Sequence, residues 1–598
     1  TQLLRIAIGL NLVGMFGVAL GTTRLLTGSR SIGLLAALAL IPAIFMWRRW
    51  SGRGGSVFWS SCVRPRFSWQ TAPAGVLAFV TLGPALCYPT GWDELVYHHV
   101  LPRRWLADGW PALYPDLPYS SFPSLGEILF WLLAPIESVI APRLLGWVCW
   151  VIGLVFLYRL LRRRLAPGSA ATLTMAFALS STVLLISANC YVETILLMNF
   201  AALLLVLSQR RPWAAAPWGK AVIVGVLAGG AAAVKLTGLA VLVVPCLWYA
   251  GEAWHDRLRL RPIVQSLTMS LVVALFVCLP FYLRPWLLTG NPFYPYYGQW
   301  FTIDPARLEM SRYHHALGAA FGVHGPAVFL LGPFLLAFDY EIYDGDFGWQ
   351  LIILIALAAL AGASFRRKQR LPFVLWPGAV FGSMYVFWYL TAQQARFAIP
   401  AILALALLAA MGLRQLHGRQ RKLVLVALLA AALLSAPWRT TGHYLGSWLT
   451  VLGLVSRTDY VNVSTDRDYL PLVQAIAEHT PPDAKLMLLF EHRGFYLPRS
   501  YIIGTPFFQE AGFTPPEHFA DASRVMDVLS SSQFTHVILT SKPTGPDQPQ
   551  EWLDRLEPFF AGFQQLVDQE KLRPIWRSER YLLFELTKPI APAPSGPP

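Results

Sequence analysis

Between Gly91 and Trp105 the chain reads GWDELVYHHVLPRRW, with two carboxylates, two imidazoles and two guanidiniums directly after a long apolar run. A carboxylate held at a membrane surface can accept a proton from an incoming nucleophile or orient it, which makes Asp93 and Glu94 candidate acid/base groups. Asp93 equally suits the cap of a short helix beginning at Glu94. Arg103 and Arg104 match the oxygens of an anionic ligand, phosphate above all, and also suit anchoring at a lipid surface. His98 and His99 are candidate supporting donors. As metal ligands they are a poor pair, because neighbours on a helix point apart.

More ions stand at the edges of apolar runs: Glu193 in NCYVETILL, Lys235 in AAAVKLTGL, Arg284 in YLRPWLLTGNPFYP and Arg396 in TAQQARFAIP. Each alone could be a helix-end or snorkelling charge. Together they form a mixed set of acids and bases, as a site for a phosphate-bearing, membrane-anchored substrate requires.

The elements that must position them are transmembrane helices. Of 598 residues 55% are hydrophobic and 14% charged, outside the ordinary soluble range. Apolar segments near the ~20 residues needed to cross a bilayer recur up to position 437. Taken with the positive-inside bias, they predict about 13 spans. Arg48, Arg49, Arg53, Arg64 and Arg66 place the loop before Thr71 in the cytoplasm, which puts Gly91 to Trp105 outside. Ala171 to Asn189 is expected to be one span, and Lys235 the tip of a helix pair. A long external segment is expected to begin at Arg284, with Val323 to Phe338 as a re-entrant or interfacial helix.

This sidedness absorbs most of the net charge of +15, so nucleic-acid binding is not needed and no nucleic-acid motif supports it. The six cysteines lie in or beside the apolar part without metal-ligand spacing. Beyond Trp438 the texture is that of a soluble α/β domain, with strands expected at Lys485 to Phe490, His536 to Thr540 and Tyr581 to Leu586. Helical spacing marks Leu470 to His479, His518 to Ser530 and Trp552 to Phe560.

The expected organisation is therefore a polytopic α-helical membrane protein. Residues 1–70 hold two N-terminal helices and a cytoplasmic loop, and 71–437 a transmembrane core with external loops at 91–141 and 284–348. Residues 438–589 form an extracytoplasmic α/β domain, and 590–598 a disordered tail.

The chain resembles the GT-C superfamily of integral-membrane glycosyltransferases, in the bacterial branch related to protein O-mannosyltransferases and lipid A aminoarabinose transferases. The resemblance rests on Asp93-Glu94 in the first large external loop, Glu193, KLTGL at Lys235, RPWLLTGNPFYP from Arg284 and QQARFAIP around Arg396. Glu193 departs from the Asp often found there, and the two spans before Thr71 lie outside the shared core. The resemblance implies a polyprenyl-phosphate sugar donor and transfer with inversion to a protein, lipid or glycan acceptor on the outer face of a bacterial inner membrane. It implies Asp93 as general base, with Arg103, Lys235, Arg284 and Arg396 toward donor phosphate. A divalent metal assists some members and not others, and no cofactor is assigned. The competing readings are a transporter or flippase, since intramembrane ions mark transport paths, and a non-catalytic assembly subunit binding through its external domain. The stretch EHRGFYLPRS around Arg493 is expected to be an ordinary strand turn.

Overall fold

The computed structural model describes residues 2–22, 72–209, 217–255, 260–301, 304–365, 371–435, 437–509, 512–540 and 550–587. The expected second span, Ser31 to Trp47, and the tail fall outside them. Five described helices are long and apolar enough to cross a bilayer: Gln2–Thr22, Ile140–Leu161, Leu236–Trp254, Leu260–Thr289 and Ala395–Leu413. Six further apolar helices have only 10–17 residues. The expectation of about 13 spans is thus not reached by length alone.

Two local expectations change, and a third, that the piece after Val323 is not a span, agrees with its length. Ala171 to Asn189 is not one span but two helices, Pro167–Ala178 and Ser181–Ala188, bent by 72°. Arg284 does not open a loop, because the helix Leu260–Thr289 runs through it despite Pro280 and Pro285. The apolar piece after Val323 forms only the ten-residue helix Pro326–Leu335, about 15 Å long and too short to span alone.

Two helices form the centre of the bundle. Every residue of Glu193–Leu207 is buried, and nearly all of Ile399–Leu413, as expected of helices that are apolar all round. Glu193 opens the first of these helices, and Arg396 lies in the 3-10 turn Ala395–Ala398 that leads into the second. The N-terminal helix belongs to this core: Asn11 and Asn199 exchange two side-chain hydrogen bonds at 2.7 and 3.1 Å. At Gly14, Gly17 and Gly21 an added Cβ would collide with Leu125, Ile128 and Pro111, so small residues set the close approach.

The C-terminal part carries a five-stranded sheet: β1 (Lys485–Leu489), β2 (Ser500–Ile503), β3 (His536–Thr540), β4 (Leu572–Arg577) and β5 (Tyr581–Leu586), in the order β2-β1-β3-β5-β4. The β1 pairings with β2 and β3 are parallel, and those of β5 with β3 and β4 antiparallel. Leu486 to Leu489 are all buried, the pattern of a strand covered on both faces. Before the sheet, helix Pro437–Val451 packs on Ala72–Ala85, with Trp448 stacked on Phe79.

The loop after β1 is more than a strand turn. Phe495 donates its N–H to the Leu95 carbonyl at 3.1 Å, and the Tyr496 hydroxyl donates to the Pro89 carbonyl at 2.8 Å. EHRGFYLPRS therefore docks the sheet domain onto the Gly91 to Trp105 segment. Arg493 faces inward, held by Glu491 and Asp466.

Candidate active site

Asp93 leads into a π-turn, Glu94–His98, closed by the His99 N–H on the Glu94 carbonyl at 3.2 Å. Such i→i+5 turns are rare and often mark functional sites. The Asp93 side chain makes no cap hydrogen bond, so the capping expectation is corrected. Instead its Oδ2 accepts from Arg396 Nη1 at 2.5 Å, across 303 residues of sequence.

Around that pair a network closes. Glu193 Oε1 accepts from Lys235 Nζ at 2.9 Å and lies 3.7 Å from Arg396 Nε. Arg396 Nη2 donates to Gln394 Oε1 at 3.2 Å, and Gln394 Nε2 donates to Asp344 Oδ2 at 3.1 Å. The Arg396 guanidinium stands over the Tyr191 ring and Lys235 over Phe397. Thus Asp93, Glu193 and Arg396, all buried, meet the partly buried Lys235 in one cluster. Burial pushes the Asp93 carboxyl up, but Arg396, with His98 and Lys235, draws it below the ordinary carboxylate value overall. Asp344 goes the other way: burial raises it, and Arg396 offsets only part.

A cavity of about 240 Å³ opens onto this cluster, with Asn189, Tyr191, Tyr340, Asp344, Arg396 and His443 in its wall. A ligand entering it meets the guanidinium directly.

The other expected residues are placed elsewhere. Glu94 turns away from Asp93 and is fully buried against Arg143, whose Nη1 reaches both its oxygens at 2.6 and 2.8 Å. The Thr90, Gly91 and Cys190 N–H groups donate to the same carboxylate. Arg103 does not join the cluster; it stacks on Phe495 at 3.9 Å and donates to the Phe495 carbonyl. Arg104 pairs with Asp116 at 2.9 Å. Arg284 is spent on the carbonyls of Pro111 and Ser120, tying the helix Leu260–Thr289 to the loop between Asp108 and Leu125. His98 bonds Glu127 at 2.7 Å, while His99 lies against Phe495 and burial holds its imidazole far below the usual value.

Sequence reasoning missed Arg143, Glu127 and Asp344. Arg143 and Glu127 are single ions inside apolar runs, IAPRLLGW and LGEILFW, and that isolation is the signal that could have marked them.

One group of potential metal ligands occurs among the described residues: Glu94, His99 and Cys190, with ligand atoms within 4.8 Å of one another. It does not fit a divalent cation. Both Glu94 oxygens are occupied, the Arg143 charge is adjacent, and burial pushes the Cys190 thiol up, away from the thiolate a metal needs.

The architecture matches solved structures over most of its length. ArnT from Cupriavidus metallidurans in the apo state superimposes with a TM-score of 0.53 at 17% identity, covering 86% of this chain and 96% of that one. The same protein bound to undecaprenyl phosphate gives 0.52 at 16%, covering 86% and 97%. The likeness is one of fold: the chain shares the ArnT architecture. The Archaeoglobus fulgidus oligosaccharyltransferase AglB, in complex with an inhibitory peptide and a dolichol-phosphate, is also similar, with a TM-score of 0.49 at 14% identity over 79% of this chain and 69% of that one. A family described as Domain of unknown function (DUF8201) matches residues 143–403, a range that contains Glu193, Lys235 and Arg396 but begins after Asp93. No curated protein matches the sequence.

Proposed function

We propose that the chain is a membrane glycosyltransferase that moves a sugar from a polyprenyl-phosphate donor to an acceptor hydroxyl or amine outside the cytoplasm. The observation that carries this reading is the buried Asp93–Arg396 pair, joined to Glu193 and Lys235, with Arg396 in the wall of a cavity.

The cluster balances two carboxylates against two cations. Arg396 and Lys235 are the groups that would face donor phosphate, stabilising the charge that grows on it as the glycosidic bond breaks. As Arg396 turns to phosphate, Asp93 loses its counter-ion and becomes the stronger base. It takes the acceptor proton while the acceptor's electron pair forms the bond to the anomeric carbon. A single displacement of this kind inverts that carbon, and the leaving electron pair goes to phosphate. No covalent intermediate on the protein is required. The acceptor is a protein, lipid or glycan, and membrane lipid is the common medium for donor and enzyme.

Asp93→Asn keeps the size and an acceptor oxygen but removes the basic charge. In liposomes with undecaprenyl-phosphate-linked sugars, it is expected to slow donor consumption by about 10²–10⁴-fold, with undecaprenyl phosphate still bound. Consumption at the wild-type rate would remove Asp93 from the role of base.

A further inference from the structure

A second acid–base pair lies beside the Asp93 cluster and takes no part in the reaction as described so far. His98 Nδ1 lies 2.7 Å from Glu127 Oε1, and both side chains are buried. Among the described residues, His98 Nε2 and Glu127 Oε2 have no hydrogen-bond partner, although leaving a buried polar atom unpaired is costly. The arrangement is that of an imidazole oriented by a carboxylate with its far nitrogen presented to something else.

That far nitrogen belongs to the same π-turn that follows Asp93. Because the turn closes at i→i+5, Tyr97 and His98 both fall near the side of the turn that Asp93 occupies, close enough for both to act on the Asp93 carboxylate. The groups around His98 are Asp93, Tyr97 and His99 on its own element, Glu127 on helix Leu125–Leu133, and Tyr191 on the turn before Glu193–Leu207. Arg284, from the helix Leu260–Thr289, acts on Glu127 in turn. Glu127 is thus the carboxylate placed to hold an imidazolium.

We infer that His98, positioned by Glu127, receives the proton that Asp93 takes from the acceptor. The inference rests on the transferase reading. In the balanced step the acceptor O–H or N–H breaks, its electron pair forms the new glycosidic bond, and the proton passes to Asp93 and then to His98 Nε2. The resulting imidazolium is paired with Glu127, which leaves Asp93 charged again for Arg396 as the phosphate departs. A buried Asp93 therefore need not wait for bulk water to reset. Glu127 is a positioning residue, since it acts only through His98.

Two measurements on the full-length protein test this. In lipid nanodiscs, ¹⁵N-histidine spectra, with His98 assigned by its loss in His98→Asn, should show the proton on Nδ1 and a bare Nε2. Glu127→Ala should abolish that preference. A proton on Nε2 in the wild type, or no change in Glu127→Ala, overturns the pair whether or not the protein transfers sugar. The second measurement is consumption of undecaprenyl-phosphate-linked sugars in liposomes. Glu127→Gln retains a hydrogen-bond acceptor but not the charge, so it should slow consumption by about 10²-fold while undecaprenyl phosphate binding is unchanged. Turnover at the wild-type rate in Glu127→Gln would reduce Glu127 to a structural contact. If the wild type consumes no lipid-linked sugar, the transferase reading falls and the proton-passing role falls with it, while the spectra still decide the pair.

Discussion

Arg143→Met offers a direct test of what Glu94 does. All five guanidinium donors of Arg143 have acceptors: Nη1 reaches both Glu94 oxygens, Nε and Nη2 reach the Pro84 carbonyl at 3.1 and 2.8 Å, and Nη2 also reaches the Ala188 carbonyl at 2.6 Å. Three segments are thereby joined: the end of Ala72–Ala85, the π-turn after Asp93, and the bend before Glu193. Methionine leaves Glu94 charged, with 0% exposure and no cation. Breaking a buried pair in this way costs about 3–5 kcal/mol. The assay is equilibrium unfolding of the detergent-solubilised full-length protein, followed by tryptophan fluorescence. Arg143→Lys keeps the charge without the fork and should fall between wild type and Arg143→Met. In a double-mutant cycle with Glu94→Gln, the coupling should lie toward the top of the ~0.5–3 kcal/mol range for residues in contact. If Arg143→Met lies within about 0.5 kcal/mol of wild type, as for an ordinary surface change, then Glu94 is not the architectural anchor described here.

Two further predictions concern stability. Asn11→Ala breaks the paired amides with Asn199 and should cost about 0.6–1.7 kcal/mol in the same assay; no loss would detach the N-terminal helix from the core. Asp344 is raised above its ordinary value of 3.8, so the folded state holds its proton to higher pH than the unfolded chain does, and stability falls as pH rises through that window. Asp344→Asn should therefore be more stable than wild type at pH 7, with the advantage vanishing below about pH 4, read from unfolding curves across pH; an advantage that persists in acid would refute the sign.

The cluster was legible in sequence for a physical reason. Ions are costly at the edge of hydrocarbon, so Asp93, Glu193, Lys235 and Arg396 stood out although hundreds of residues separate them. Their division of labour was not legible. Asp93 and Glu94 are adjacent and chemically alike, and only the π-turn sends one to Arg396 and the other to Arg143. Arg103 and Arg284 carry the same charge as Arg396, yet a docked loop and a continued helix draw them away. In the sheet, β1, β3 and β5 announced themselves as apolar runs. The four-residue edge strand β2 and the β4 segment LRPIWR, with a proline inside it and a register irregularity at Pro574/Trp576, carried no such signal.

The central claim is tested most directly by following the bond between sugar and phosphate. Full-length protein in liposomes is given undecaprenyl-phosphate-linked sugars and a membrane extract as the source of acceptor, and lipid and sugar are followed by mass spectrometry. The account predicts undecaprenyl phosphate released in step with sugar transferred, the product having the opposite anomeric configuration, and loss of both in Arg396→Ala. Lipid-linked sugar that crosses the bilayer intact, with no undecaprenyl phosphate formed, would contradict it.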